Sequence, residues 1–368
     1  MNENSGIQNN KQTATKTYSQ QQEVVYRDKL NKLLKELPKF CLQFFNSMEY
    51  TKAPRTKVAY ALDLKGFFEF LPQANPCYKN YAISDFDLED IENLTADDII
   101  EYLRHFKYYK KGGQEYTNSQ NAIKRKLSTL RTFYNYYHKN KLIRLNPTLQ
   151  VDMPKLHEHT ITRLEVNEVA QLLDNVESGD KLTKEQLKKH EKLKTRDLAI
   201  LSLMLGTGIR VSECVGLDLK DVDFDNDRIK IIRKGGAEAF VYFSDEVHDA
   251  LKEYIDNDRQ IVEPLPGHEN ALFISNKKQR LCVRSVENMV KKYAHTVTTV
   301  KHITPHKLRS TYGTNLYQET KDIYLVADVL GHKDVNTTRK HYAAMVDENK
   351  RRARNIVKLR STDEEDPS

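Results

Sequence analysis

The sequence predicts a mainly α-helical protein of two domains, with a small antiparallel β-hairpin in the second. Three observations carry that prediction. Apolar residues recur at three- and four-residue spacing from about residue 21 to 145. The stretch NPTLQVDMPKLHEHT at 146–160 has two prolines and no periodicity, as a linker would. Beyond it, RIKIIRKGGAEAFVYF places a Lys-Gly-Gly turn between two β-rich runs, among segments that again read as helices.

Taken in order, residues 1–20 are rich in Asn, Gln, Ser and Thr and read as a disordered tail. The helical domain follows over 21–147. YRDKLNKLLKELPKFCLQFFNSM and TKVAYALDLKGFFEFL supply its first helices. LTADDIIEYLRHF opens with Thr95 at an N-cap and acids in the first turn, where the helix dipole favours them. NAIKRKLSTLRTFYNYYHKNK puts Ile123, Leu127, Leu130, Tyr134 and Tyr137 on one face and Lys124, Ser128, Arg131 and Asn135 on another. The expectation is a bundle of about four helices. After a linker at 148–160, the second domain spans 161–350, with Thr162-x-x-Glu165 reading as a capping box at its start. SGDKLTKEQLKKHEKLKTRD reads as a charged helical excursion. DLAILSLMLGTGIRVSECVGL reads as an apolar helix, a glycine turn and another helix. Residues 351–368 form a C-terminal helix and tail.

The 368 residues carry 59 Lys and Arg against 52 Asp and Glu, a net charge of +7. Seven basic and no acidic residues lie between Asn121 and Arg144. A positive face of that density suits a polyanion, unless it is simply a solvated helix face; Lys124, Arg125, Lys126 and Arg131 are its candidate DNA-binding residues. The four cysteines are dispersed and form no C-x-x-C pair, which excludes a disulfide framework or zinc module and fits a reducing cytosol. A polar N-terminus and the lack of a long apolar run predict a cytoplasmic protein, nucleoid-associated if it binds DNA, with no membrane partner.

The chemistry-bearing residues are individually ambiguous. Arg210, in GTGIRVSEC, follows Gly208 at a helix start, where a guanidinium can clamp phosphate; it can equally pair with Glu213 at i,i+3. Lys234 stands at the hairpin turn, where it could follow nucleic acid into a groove or merely confer solubility. In KHITPHKLRS, Thr304 can cap a helix with Pro305 at its first position, leaving His306 and Arg309 on one face. Pro305 separates His302 from His306 and no carboxylate or thiol lies close by, so no metal is expected. In VLGHKDVNTTRKHYAAM, Gly331 and His332 end one element and Tyr342 lies in the next. Together, two guanidiniums can neutralise a phosphodiester, histidines and a lysine can move protons, and a tyrosine can attack phosphorus.

The boxes GTGIRVSECVGLDLKDVDF, RKGG, HKLRS and LGHKDVNTTRKHY resemble, in order and spacing, those of the tyrosine recombinase (integrase) family over about 197–345. TRLEV, TRDLAI and TPHKLR make the chain most similar to Xer-type members, particularly the single-recombinase branch. Two departures are visible. Ten residues separate His332 from Tyr342 where many members have nine, and Ser310 follows H-x-L-R where histidine is frequent.

The resemblance implies a helical core-binding domain and a catalytic domain forming a C-shaped clamp on DNA. It implies Tyr342 as nucleophile for a 3′-phosphotyrosyl link, with Arg210 and Arg309 on the scissile phosphate. Lys234 is implied as general acid, His306 as acid/base partner of Tyr342, His332 as a phosphate ligand, and Glu213 as a support for the arginine-bearing helix. No cofactor, metal or ATP is implied. The implied partners are double-stranded DNA with a paired, inverted-repeat-like site, and three further copies in a homo-tetramer held by tail exchange. A DNA translocase or accessory recombinase is a further possible partner. Chromosome dimer resolution, integration of a mobile element and a catalytically silent DNA-binding role are the competing functions; no cation or tyrosine needed for catalysis is missing.

Overall fold

The computed structural model describes residues 17–155, 162–233, 236–332 and 334–336. The chain is mostly helical with small antiparallel sheets, as its sequence predicts, and divides into two compact units between residues 159 and 160.

In the first unit, α1 (Tyr18–Leu34), α2 (Cys41–Ser47), α3 (Pro54–Ala74), α4 (Leu88–Asn93), α5 (Ala96–Lys107) and α6 (Gln120–Lys139) pack around an aromatic core. Local chemistry sets the ends. The Thr17 hydroxyl caps α1, so the helix begins inside the segment expected to be a disordered tail. Thr95 caps α5 through the Asp98 amide, and Asp98 returns a carboxylate oxygen to the Thr95 amide at 2.8 Å. The predicted apolar face of α6 is inward: Leu127, Leu130, Tyr134 and Tyr137 are fully buried and Ile123 nearly so, and Phe133 joins them. Phe133 meets Phe44, Phe68 and Tyr137 edge to face, the geometry ring quadrupoles favour. Two features differ from expectation. Strands β1 (Tyr108–Lys111) and β2 (Gln114–Thr117) form a hairpin between α5 and α6, turned by Gly112 and Gly113 at positive φ. The start of the expected linker belongs to this unit, because Pro147–Gln150 forms a 3₁₀ turn with Thr148 buried and Val151 in the core.

In the second unit, α7 (Val166–Ser178), α8 (Lys184–His190) and α9 (Lys194–Thr207) are followed by α10 (Val211–Gly216). Strands β3 (Val222–Asp223), β4 (Arg228–Ile232) and β5 (Glu238–Tyr242) form an antiparallel sheet in that order. Then come α11 (Asp245–Tyr254), α12 (Val283–Val297), α13 (Pro305–Thr320) and α14 (Ile323–Leu330). Helix α9 is the buried centre, with Ile200, Leu201, Leu203 and Met204 fully covered. The start of α7 corrects the expected capping box. Glu165, not Thr162, is the N-cap, and its amide donates to the Glu168 carboxylate at 2.7 Å. No helix among the described residues is long and apolar enough to cross a membrane.

Candidate active site

The second unit draws Arg210, Arg309 and the residues just before His332 together around one helix end. Helix α9 stops at Gly208, whose φ of +64° continues the chain into a left-handed turn. A Cβ there would lie 2.4 Å from the Tyr312 ring and 2.9 Å from Leu330, so glycine is required by backbone and by space. The turn delivers Arg210 to the N-cap of α10. The pairing of Arg210 with Glu213 is present. Its guanidinium pairs with Glu213 at 2.9 Å, Nη2 reaches toward the Gly331 carbonyl at 3.5 Å, and the side chain remains 35% exposed. Buried Glu213 also accepts from the Arg210 amide at 2.7 Å, fixing the base of that side chain.

Helix α13 opens with Thr304 in extended conformation and Pro305 in the first turn, although the Thr304 hydroxyl makes no capping bond. His306 is exposed in that turn. Arg309, three residues on, is buried and donates to the Gly208 carbonyl at 2.6 Å and to the Leu330 carbonyl. One guanidinium thus ties the end of α9 to the end of α14. Removal of its charge from water is offset by these bonds and by the negative end of the α14 dipole. Gly331, at φ +61°, ends α14, and half-buried His332 follows with its amide on Ala327 at 2.9 Å.

Arg233 is a site residue that sequence reasoning missed. It leaves β4 and donates to the Val329 carbonyl at 3.0 Å. The carbonyls of Val329, Leu330 and Gly331 therefore face Arg233, Arg309 and Arg210 in register. Helix ends leave such carbonyls without intrahelical partners, and here they orient a set of cations. The sequence places Arg233 in the RKGG box but gives it no role of its own, because only the fold brings β4 to α14. Lys234 and Tyr342 lie outside the described residues. Burial raises the phenol pKa of Tyr312, beside Gly208, above the ordinary value.

The candidate DNA-binding residues of α6 have partners within the first unit. Lys126 is buried, 3.4 Å from Asp63 and 4.1 Å above the Phe106 ring. Burial lowers its ammonium pKa, with Asp63 opposing. Asp63 also takes Arg125 and, at 2.9 Å, the Thr129 hydroxyl. Arg131 donates to the Val151 carbonyl at 2.6 Å. Lys124 is only half-buried. The acid missing from the local sequence is supplied by α3. Among the described residues no cluster of three or more His, Cys, Asp or Glu is placed to hold a metal.

Residues 162–349 match the phage integrase family, and residues 41–141 match its N-terminal SAM-like domain. The tyrosine recombinase XerC of Caldanaerobacter subterraneus subsp. tengcongensis is 32% identical over 309 residues, covering 81% of this chain and 80% of that protein. The tyrosine recombinase XerD of Halalkalibacterium halodurans is 26% identical, covering 80% and 89%. The fold is similar to that of XerH site-specific recombinase bound to palindromic difH substrate, with a TM-score of 0.59 at 21% identity over 78% of this chain and 76% of that one. It is also similar to that of the Tn1549 transposon integrase in complex with transposon right end DNA, with a TM-score of 0.60 at 21% identity over 86% and 99%. The chain belongs to the phage integrase family and is a tyrosine recombinase of the Xer type, an enzyme of site-specific DNA recombination.

Proposed function

We propose that the protein resolves chromosome dimers by exchanging DNA strands through a covalent tyrosyl intermediate. The convergence of Arg210 and Arg309 on the carbonyls that precede His332 is the observation that carries the site assignment. In this reading Tyr342 Oη attacks the scissile phosphorus, forming a P–O bond as the P–O5′ bond breaks. The phenolic proton passes to His306, and Lys234 protonates the departing 5′-oxygen. Arg210 and Arg309 meet the non-bridging oxygens, His332 adds a hydrogen bond, and Glu213 holds Arg210. Preorganised donors of this kind contribute about 3–4 kcal/mol each to such transition states. The phosphotyrosine conserves the energy of the broken bond, so a second strand's 5′-hydroxyl can reseal it without ATP.

The Xer role draws its support from the XerC and XerD relatives, of which the chain covers most of the length. We place the protein in the cytoplasm, at the nucleoid. It acts there as a homo-tetramer on two DNA sites, with residues 351–368 docking on a neighbouring subunit and a translocase or accessory recombinase setting strand order. Both helical units grip the duplex, with Lys124 and the exposed part of Arg125 on the first.

Covalent capture tests this reading. Cells expressing tagged protein are lysed in strong denaturant, the protein is purified, and its attached DNA is sequenced. We expect one chromosomal locus, lost in Tyr342→Phe. Reads at the ends of a mobile element would instead make the protein an integrase of that element. An adduct surviving in Tyr342→Phe would move the nucleophile elsewhere.

A further inference from the structure

We propose that Arg125 reads a guanine in the major groove of the DNA site, and that Asp63 is the residue that positions it. The inference rests on the reading of the first unit as one that grips the duplex, and adds what that unit recognises there.

The two residues meet across two helices. Asp63, on α3, is only 2% exposed, and its carboxylate is fixed from several directions. Oδ2 accepts from the Thr129 hydroxyl at 2.9 Å and from Nη1 of Arg125, and Oδ1 lies 3.4 Å from the Lys126 ammonium. Thr129 and Lys126 are themselves buried, the ammonium 4.1 Å above the Phe106 ring. Of the three partners, Arg125 alone reaches the surface, with 49% of its side chain exposed. Its Nε and Nη2 have no hydrogen-bond partner among the described residues.

A buried carboxylate is costly to desolvate, and packed apolar groups of similar volume would join the helices about as well. They would not hold a guanidinium in one plane. With Nη1 taken, the Nε–Nη2 edge remains: two parallel donors that match O6 and N7 of guanine, the one base with two adjacent acceptors in the major groove. Charge favours a base over a phosphate as the partner. Phosphate binding draws on charge that releases counterions, and the charge of Arg125 is already met by Asp63. What Arg125 retains is direction, which a base edge rewards. Its neighbours suit the same task. Asn121 and Ser128 stand four residues before and three after it, on the same face of α6, Asn121 exposed and Ser128 half-buried. A helix with such a face fits the major groove.

Selection from a pool of randomised duplexes tests the proposal with the full-length protein and requires no known site. Bound duplexes are sequenced for wild type, Arg125→Ala and Asp63→Asn. We expect one position in each half-site where wild type favours guanine about 10–100-fold over other bases. Arg125→Ala should bring that preference within about threefold of unity and keep the rest of the motif. Asp63→Asn, which frees the guanidinium, should weaken the same preference at least threefold, with affinity for a non-specific duplex within about threefold of wild type. Both results together support the proposal. A motif unchanged in Arg125→Ala would overturn it, whether binding falls for every duplex alike, as on loss of a phosphate contact, or not at all. Guanine preference lost in Arg125→Ala but kept in full by Asp63→Asn would overturn the positioning role of Asp63, and the proposal with it. If Asp63→Asn fails to fold, Arg125→Ala, altered at the surface, still decides the guanine reading. Wild-type protein that binds no duplex would overturn the DNA-gripping reading itself, which the other outcomes leave standing.

Discussion

Helix α6 and the end of α14 use cations in opposite ways. On α6, Arg125 and Lys126 converge on the buried Asp63 carboxylate, and further along the chain Arg144 pairs with Glu92 at 2.9 Å. Each of those carboxylates neutralises charge that has no acidic neighbour in the local sequence. At α14, Arg233 and Arg309 donate to carbonyls, which orient a guanidinium. Arg210 has both kinds of partner and keeps about a third of its side chain exposed. The first arrangement holds a bundle together, and the second orients guanidiniums at a helix end. A basic run in sequence is thus a poor guide to unpaired charge, because its partners can come from distant parts of the chain.

The largest effect should come from Arg309. Arg309→Ala leaves the Gly208 and Leu330 carbonyls without their buried donor and should cost about 2–4 kcal/mol of stability, measured by urea unfolding. Covalent adduct formation should fall by about 100-fold or more at temperatures where the variant stays folded. Arg309→Lys should recover part of the stability and little of the cleavage, since an ammonium cannot span two carbonyls and a phosphate in a plane. Full cleavage by Arg309→Lys would mean that charge matters there and orientation does not, which would break the comparison.

A smaller pair of effects sharpens it from the α6 side. Lys126→Met should destabilise the protein by about 1–3 kcal/mol, because Asp63 loses one of its buried partners. Its DNA affinity should show an unchanged salt slope at temperatures well below unfolding. Lys124→Ala should do the reverse, with stability within about 0.5 kcal/mol of wild type and the slope of log affinity against log salt shallower by about 0.9. A shallower slope in Lys126→Met would return Lys126 to the DNA surface.

Much of this was legible because helical periodicity reports burial directly. Every residue of the predicted apolar face of α6 is inside, and the glycines at 208 and 331 fall where helices end in left-handed turns. What escaped has a physical reason in each case. Asp63 is brought to Lys126 from 63 residues away in sequence, so no local window contains the pair. The β1–β2 hairpin is too short and too exposed to carry a burial alternation. Thr162-x-x-Glu165 has the composition of a capping box, but Glu165-x-x-Glu168 starts the helix three residues later. Arg233 differs from a solubilising residue only by its contact with α14.

The smallest effect asks whether the contrast divides the two units or two kinds of site. The second unit has its own counterpart of Asp63. Buried Asp197 takes Arg196 at 2.6 Å, Lys292 at 3.2 Å and the Tyr293 hydroxyl at 3.0 Å, and that hydroxyl lies 3.1 Å from Nδ1 of buried His190. Burial lowers the His190 pKa, helped by Lys292 and Lys194 and opposed by Glu191 and Asp197. The folded state therefore binds this proton less readily than the unfolded chain, whose histidines titrate near 6.5. The stability conferred by neutral His190 is complete above about pH 6.5 and is lost as the pH falls below it toward the folded-state value. Unfolding measured from pH 7.5 down to 5 should show that loss in wild type and a flatter profile in His190→Gln. Cleavage by His190→Gln at pH 7.5 should stay within about twofold of wild type, because this network neutralises its cations as Asp63 does and lends none to the phosphate. A large cleavage defect without loss of stability would join the Asp197 network to the active site, and the line between structural and catalytic cations would have to be redrawn inside the second unit.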